Sequence, residues 1–387
     1  LHKQLWMEVM QEDAEITRWI KGIVEPLVHL NKRIDRYIKI KDFEKMDPLK
    51  VSHLMINDQT SLPTTNITRE LIPYLKNNRV ENIFLDNACT VENFPLNSYA
   101  NYRVFLTLLT ELKTNLSSVS SHKMQIKASN IIFENCGNLL KVRSMDDLVH
   151  ILQQIDDNVE IREYNLTAAS LKLYSKYMDT CLPEYDLKSV YALTLEEESA
   201  QSAHFASIIK DLIAQVRRNP QVMSSIFQLM DPSSLEEHPI FTHLTKSKQT
   251  SILIETALEM GDFDLLHQFI VKYDSTVEED VLLKYFWHFF NNASNGLRTR
   301  PEMVKADKTL DLLLQTEKGR YGYLKALMDV ANELSNYSLN LGKGIPFKPS
   351  DILTFTTKPF DLISLLLELN QELYKDPFTL TNLLIKL

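Results

Sequence analysis

Residues 247–316 contain two helix-turn-helix units in succession, and this segment constrains the fold of the chain more than any other. Apolar residues recur at three- and four-residue spacing from Ser247 to Met260, which predicts an amphipathic helix. Gly261 ends that helix, because glycine adopts a positive φ without steric cost, and the Asp262 carboxylate can cap the next one. So short a turn predicts two antiparallel helices packed against each other.

The second unit begins where Thr276 and Glu279 match a capping box, which predicts a helix start at about Val277. The helix that follows ends near Asn291 and carries apolar residues on nearly its whole circumference. We therefore expect neighbouring elements to bury it on several sides. Pro301 suits the first turn of the next helix, where a missing N–H costs nothing.

Length and composition extend this local pattern to the whole chain. The 387 residues exceed the roughly 250–300 at which one compact core stops growing, so the chain divides into domains or extends as a stack. The eight glycines form no phosphate-binding loop, and capped helical patterns recur at 98–116, 124–140, 167–178 and 323–334. No repeat of fixed period is present. The expected fold class is all-α, an irregular α-solenoid of stacked antiparallel helix pairs.

Proline-containing dipeptides suggest a division into three parts. Residues 1–97 are expected to form an irregular helical segment with Pro-rich turns, in which Pro26 bends the first amphipathic run. Residues 98–219 are expected to form a helical stack. Residues 220–387 form a second stack, which contains the segment 257–314.

The net charge of the chain argues against one broad class of partner. The net charge of −9 and the pI near 5.6 argue against nucleic-acid binding, which depends mainly on neutralising phosphates. A local basic cluster consists of Lys32, Arg33, Arg36, Lys39 and Lys41. Acidic residues are interleaved with it, which favours a solvated helix end, although contact with an acidic partner or anionic lipid stays open. No apolar run reaches the ~18 residues needed to span a bilayer.

Two acidic pairs are the strongest candidates for metal binding. Asp146–Asp147 and Asp156–Asp157 resemble half of a divalent-cation site, but the second pair of ligands one turn on is missing. Ser144 and Asp147 match a helix start instead, with the acids complementing the helix dipole. The structural interpretation is therefore favoured over the metal site.

The remaining candidates for chemistry also favour structural roles. His238 and His243 flank Pro239 at a spacing that does not share a helical face, so we expect loop histidines without partners. His288 is expected to be a buried imidazole with one hydrogen bond. The three cysteines are far apart, which predicts buried, unreactive thiols in a reducing compartment. No catalytic, cofactor-binding or metal-binding residue is predicted, and we expect a non-enzymatic protein.

One segment resembles a known family. The sequence YFWHFFNNASNG from Tyr285 to Gly296, followed by Arg298, by RPEM from Arg300 to Met303 and by a leucine-rich helix, resembles the Sec39 family. The resemblance is most specific over about 257–314 and is weaker at Trp19–Pro26. This family supplies a subunit of the yeast endoplasmic-reticulum Dsl tethering complex and includes the vertebrate neuroblastoma-amplified gene product.

The resemblance implies a function but no active residue. It implies an α-solenoid subunit that lies peripherally on the cytoplasmic face of the endoplasmic reticulum. Such a subunit would bind another tethering-complex subunit and the N-terminal domain of a SNARE, and so help to capture COPI vesicles returning from the Golgi. It would need no cofactor and no nucleic acid and would reach the membrane through partners. The resemblance also implies that the chain corresponds to the later half of a family member, and it assigns no protein-binding residues.

Three other classes stay open at this level. A helical scaffold of a coat, nuclear-pore or kinetochore complex would show the same helical sequence pattern and differ only in its partners. An RNA-binding helical-repeat protein would need basic residues at a regular period, which the chain does not show. An all-α enzyme would need scattered catalytic groups, with Asp146 or Asp156 as the testable candidates.

Overall fold

The computed structural model describes residues 13–34, 37–56, 63–216, 218–230, 240–316, 319–341 and 346–386. In these ranges the fold is all-α and of helical-repeat type, as the sequence predicts. A short antiparallel hairpin, β1 (Glu160–Ile161) and β2 (Leu166–Thr167), interrupts the helices. The chain forms two compact units, unit 1 (Leu1–Gln201 with Ser224–Leu244) and unit 2 (Ser202–Met223 with Thr245–Leu387). The division into three parts stays a prediction.

The helices up to residue 230 are numbered in chain order, with two π-helical turns at Ile20–Val24 and Ile67–Leu71 and a 3-10 turn at Arg162–Tyr164. They are α1 (Ala14–Trp19), α2 (Glu25–Arg33), α3 (Ile40–Glu44), α4 (Pro48–Ile56), α5 (Pro63–Asn66), α6 (Ile72–Asn78), α7 (Glu81–Asn87), α8 (Tyr99–Asn115), α9 (Ser118–Val142), α10 (Met145–Gln153), α11 (Ala168–Thr180), α12 (Leu187–Leu195), α13 (Glu198–Val216) and α14 (Val222–Met230).

Two prolines of the N-terminal region, Pro26 and Pro73, lie just after π-helical turns. Pro26 has no N–H to donate to the carbonyl of Gly22, four residues earlier. That carbonyl accepts a hydrogen bond from the Asn78 side chain at 2.9 Å instead, and the backbone before Pro26 widens into a π-helical turn. The bend that the sequence predicts at Pro26 thus corresponds to a local change in helix type.

The centre of unit 1 is α9, which packs against α7, α8, α10 and α12. Two residues join it to α8, so the two helices form an antiparallel hairpin. Its inner side chains, such as Phe133 and Ile132, are fully buried, and a fully buried apolar side chain contributes about 1.5–3 kcal/mol. The Ser117 hydroxyl accepts a hydrogen bond from the Ser120 N–H and caps the start of α9.

Unit 2 contains further helix pairs and two further 3-10 turns, Pro349–Thr354 and Gln371–Lys375. Its helices after residue 245 are α15 (Lys246–Met260), α16 (Phe263–Tyr273), α17 (Glu279–Asn292), α18 (Pro301–Thr316), α19 (Gly322–Leu334), α20 (Pro359–Leu369) and α21 (Pro377–Lys386). The pairs α15–α16 and α17–α18 pack internally, α19 packs against α18, and α21 packs against α19 and α20.

The predicted capping box before α17 is wrong. The helix begins at Glu279 rather than near Val277, and Glu278 stands at its N-cap position without a side-chain bond. The Glu279 carboxylate does not reach back to Thr276, because it accepts hydrogen bonds from the Tyr321 hydroxyl at 2.8 Å and from Arg320 at 3.2 Å. A contact about 40 residues away in sequence has replaced the local one.

Candidate functional site

The turn between α15 and α16 has the geometry that the sequence predicts. Gly261 adopts a left-handed conformation with φ 66°, and its N–H bonds back to the last turn of α15. The Asp262 carboxylate accepts a hydrogen bond from the Leu265 N–H at 3.3 Å and caps α16. A Cβ on Gly261 would lie 2.4 Å from Cε of Lys305, so the turn also packs closely against α18.

The aromatic helix α17 buries one wide face rather than its whole circumference. Its buried residues share that face and are Leu282, Tyr285, Phe286, Phe289 and Phe290. Phe286 and Phe290 stack with ring centroids 5.8 Å apart, and Trp287 is half-buried beside them. His288 is exposed and lies against the edges of Tyr285 and Phe289, so the expectation of a buried imidazole is wrong. The helix-periodic position of His288, opposite the buried face, explains its exposure.

The loop between α17 and α18 is fastened to α19. The Gly296 N–H donates to the Ser335 hydroxyl at 2.8 Å, and the Arg298 N–H donates to the Asn332 side chain at 3.2 Å. A Cβ on Gly296 would lie 2.0 Å from the carbonyl oxygen of Ala331, so only glycine allows this approach. The loop in the segment that carries the family resemblance is therefore packed tightly against α19.

A charged network covers this loop. Arg298 forms ion pairs with Asp329 at 2.5 Å and with Asp307 at 3.7 Å, and Asp329 also meets Lys386 of α21 at 3.7 Å. Nearby, burial and the charge of Asp307 raise the pKa of Asp311 above its ordinary value. All these side chains are partly exposed, so the pairs orient the loop more than they stabilise the fold.

A wide groove lies in the C-terminal part of unit 2, and we call it the C-terminal groove. Its volume is about 720 Å³, and its lining residues come from the turn after α19, the end of α20 and the 3-10 turn before α21: Tyr337, Glu368, Leu369, Asn370, Gln371, Glu372, Leu373 and Asp376. Asn370 exchanges two hydrogen bonds with Ser338, at 3.1 and 2.7 Å, and so ties two walls together. Asp376 caps α21 through Thr379.

The helices around this groove expose large apolar side chains. Leu369, on the groove wall, is 47% exposed, and Phe378 at the start of α21 is 74% exposed. Phe360, Tyr374 and Ile385 are exposed on the same elements. Large exposed apolar side chains on neighbouring elements are typical of interaction surfaces.

Three of the four acidic side chains, those of Asp147, Asp156 and Asp157, have structural partners, which agrees with the favoured interpretation. The Ser144 N–H and hydroxyl both donate to the Asp147 carboxylate at the start of α10, and Arg143 pairs with it at 2.9 Å. Lys113 donates to Asp156 at 2.7 Å, and Lys172 donates to Asp157 at 2.6 Å. The described residues contain no group of three or more His, Cys, Asp or Glu side chains placed to hold a metal ion.

Hydrogen bonds explain the electrostatics of Asp156. Hydrogen bonds from Lys113 and from Gln125 lower its pKa below the ordinary value. In return, the Asp156 N–H donates to the Gln125 side chain at 2.8 Å. These bonds fix the loop after α10 onto α8 and α9.

His243 differs from the expectation, whereas His238 lies outside the described residues. The His243 N–H donates to the Gln201 side chain at 3.0 Å, and its Nδ1 lies 2.7 Å from the Glu196 carbonyl oxygen. The loop histidine thus has partners in unit 1. It joins the loop before α15 to the turn before α13, which spacing alone does not reveal.

The basic cluster is not a continuous surface. Arg33 turns inward and pairs with Glu70 at 2.7 Å, where the two side chains are 9% and 4% exposed. It also donates to the carbonyl oxygen of Leu54 at 3.1 Å. Lys32, Lys39 and Lys41 are exposed, while Arg36 lies outside the described residues. The sequence does not predict this buried pair, because nothing near Arg33 in the chain marks Glu70 as its partner.

The three thiols are buried, as the sequence predicts. Burial raises the pKa of Cys89 and of Cys136 to about 12 and also raises the pKa of Cys181. Thiols of this kind carry almost no thiolate near neutral pH. They belong to the packing of unit 1.

A comparison with family models shows which family the chain belongs to. The model described as secretory pathway protein Sec39 matches residues 1–90 and 94–387. The chain belongs to the Sec39 family. It is therefore a secretory pathway protein, and the resemblance noted at 257–314 extends over nearly the whole chain. Among the described helices of this Sec39-family chain, none combines the length and hydropathy needed to cross a bilayer.

Proposed function

We propose that this chain is a non-enzymatic scaffold subunit of a vesicle-tethering complex at the endoplasmic reticulum. In this role it binds another tether subunit and the N-terminal region of a SNARE during COPI-dependent retrograde transport from the Golgi. It lies on the cytoplasmic face and meets the membrane peripherally, through its partners. The observation that carries the proposal is the Sec39-family match over nearly the whole chain.

The helical-repeat fold supports a scaffold role. Each helix pair buries its apolar face against neighbours, so the outer side chains stay free for partners. In unit 2, Phe360 and Phe378 are exposed although their helices bury Leu362, Leu366 and Leu383 on the other side. Partner helices can dock between such elements, a common mode of peptide recognition.

Binding to purified partners tests the proposal. The full chain is immobilised and incubated with recombinant tether subunits and with the N-terminal domain of an endoplasmic-reticulum SNARE. The matched control is the N-terminal domain of a plasma-membrane SNARE, chosen for similar size and helix content. We expect retention of the tether subunit and of the first SNARE domain, and no retention of the control.

The alternatives give different results in the same experiment. Failure to bind any tether subunit and any reticulum SNARE would overturn the proposal. Retention of coat, nuclear-pore or kinetochore subunits in their place would assign the chain to another assembly. A salt-sensitive shift of RNA by the chain would favour the RNA-binding class.

A further inference from the structure

We propose that the C-terminal groove binds a basic amphipathic α-helix of a partner protein. The inference rests on the proposed scaffold function and specifies the chemistry of one docking site. Three features support it: the sign of the charge around the groove, its exposed apolar wall, and the hydrogen bonds that hold its shape.

The charged side chains that line the groove are all acidic. Glu368, Glu372 and Asp376 contribute carboxylates, and none of the described residues that line the groove is basic. Lys375 pairs with Glu372, but both side chains are exposed, at 58% and 85%, so water and salt screen this pair strongly. A partner surface rich in Lys or Arg therefore complements the groove.

The apolar wall selects an amphipathic partner over a merely basic one. Leu369 is 47% exposed, and Leu373 and Tyr337 are half-buried beside it. An apolar stripe at i, i+3 or i+4, and i+7 of a helix presents side chains that can cover such a wall. The lysines on either side of that stripe would then lie near the carboxylates.

The groove is preformed. The two hydrogen bonds between Asn370 and Ser338 hold the end of α20 to the turn after α19. Asp376 accepts hydrogen bonds from Thr379 N–H and Oγ1 at 3.1 and 2.7 Å, and these bonds also lower its pKa, which keeps it ionised. Little backbone ordering is therefore needed on binding, which favours affinity.

Charge also argues against two other occupants. A second copy of this chain carries the same net charge of −9, and anionic lipid repels the same carboxylates. A basic helix is the occupant that gains from both the charge and the apolar wall. The other occupants become outcomes of the test.

The probe is a synthetic, fluorescein-labelled helix of about 18 residues, or five turns, with a leucine stripe and lysines elsewhere. Its binding to the full chain is measured by fluorescence anisotropy. One control peptide has Glu in place of Lys, and a second has Ser in place of Leu. We expect saturable binding of the Leu/Lys helix, with both controls weaker by about tenfold or more.

Two sets of variants locate the binding. Glu368→Lys with Glu372→Lys reverses the groove charge without touching the Asp376 cap, and we expect affinity to fall about tenfold or more. The matched control, Glu163→Lys with Asp179→Lys, makes the same charge change at exposed positions of unit 1 and should change affinity less than about twofold. Leu369→Gln tests the apolar wall and should also weaken binding. Circular dichroism checks that each variant is folded.

The proposal is overturned if the groove and control variants lose affinity equally, or if the Glu peptide binds as well as the Lys peptide. It is also overturned if sedimentation or vesicle flotation shows self-association or lipid binding that the groove variant abolishes. The peptide result is independent of the partner assay. Loss of peptide specificity with retained SNARE and tether binding removes this site and leaves the proposed function standing. The reverse pattern keeps the site and removes the function.

Discussion

Substitution of Gly296 by alanine tests the close approach of the α17–α18 loop to α19. Gly296 does not have the positive φ that Gly261 has, so the reason for glycine is space and not backbone conformation. The new Cβ would lie 2.0 Å from the Ala331 carbonyl oxygen and 2.3 Å from its carbon. These are backbone atoms of a packed helix, so the loop itself must move outward.

The expected cost follows from what that movement breaks. It removes the hydrogen bonds from Gly296 N–H to Ser335 and from Arg298 N–H to Asn332, at about 0.5–1.5 kcal/mol each. Overpacking of a buried site adds about 1–3 kcal/mol. The free energy of unfolding of unit 2 should fall by about 2–6 kcal/mol, which at a urea m-value of about 2 kcal/mol/M corresponds to a midpoint lower by roughly 1–3 M.

Urea unfolding followed by far-UV circular dichroism measures the midpoint, and amide hydrogen exchange of residues 293–300 measures the local effect. Gly322→Ala is the matched control, because a Cβ at Gly322, the first residue of α19, meets nothing within 4 Å. That variant should be unchanged or more stable by at most about 1 kcal/mol. Equal midpoints and equal exchange for the two variants would refute the close approach.

Three further predictions concern unit 1. Glu70→Ala removes the Glu70 carboxylate from its buried ion pair with Arg33 and should lower the free energy of unfolding by about 3–5 kcal/mol in urea titrations, whereas a matched replacement of both residues by apolar ones should cost less. Cys89 and Cys136 should resist a thiol reagent at pH 8 in the folded protein and react on addition of urea, because burial raises their pKa to about 12; rapid labelling without urea would contradict this. Because the pKa of Asp156 is lowered in the folded state, its contribution to stability is present above its unfolded pKa and is lost as the pH falls through the folded pKa. Asp156→Asn should therefore lower stability at pH 7 and flatten its decline as the pH falls below the ordinary pKa of an aspartate, and an unchanged pH profile would disprove the role of its hydrogen bonds.

The helices around 247–316 could be predicted from sequence because their start and end signals are local. Gly261 and Asp262 act within one turn of their own positions, and Pro301 begins α18 as its missing N–H requires. The start of α17 could not be predicted in the same way. Its apparent signal, Glu279, bonds to Tyr321, and a contact 42 residues away has no local signature.

Surface features could also be predicted only where the interacting residues lie close together in the sequence. Asp147 was assigned correctly because its partner Ser144 is three residues away. Arg33 looked like a member of a basic surface because its partner Glu70 is 37 residues away. The C-terminal groove likewise cannot be predicted from the sequence, because the hydrogen bonds between Asn370 and Ser338 join residues 32 positions apart.

The exposed ion pair beside the C-terminal groove bears on how a partner could enter. Lys375 and Glu372 are three residues apart, and an exposed pair of this kind contributes about 0.3–0.5 kcal/mol or less. Exchanging Lys375 for a partner lysine therefore costs the fold little. The Asn370–Ser338 bonds and the Asp376 cap do not involve this pair, so the groove keeps its shape during the exchange. A basic partner can thus pair with Glu372 without unfolding any part of unit 2, and its association should weaken with added salt because these exposed charges are screened.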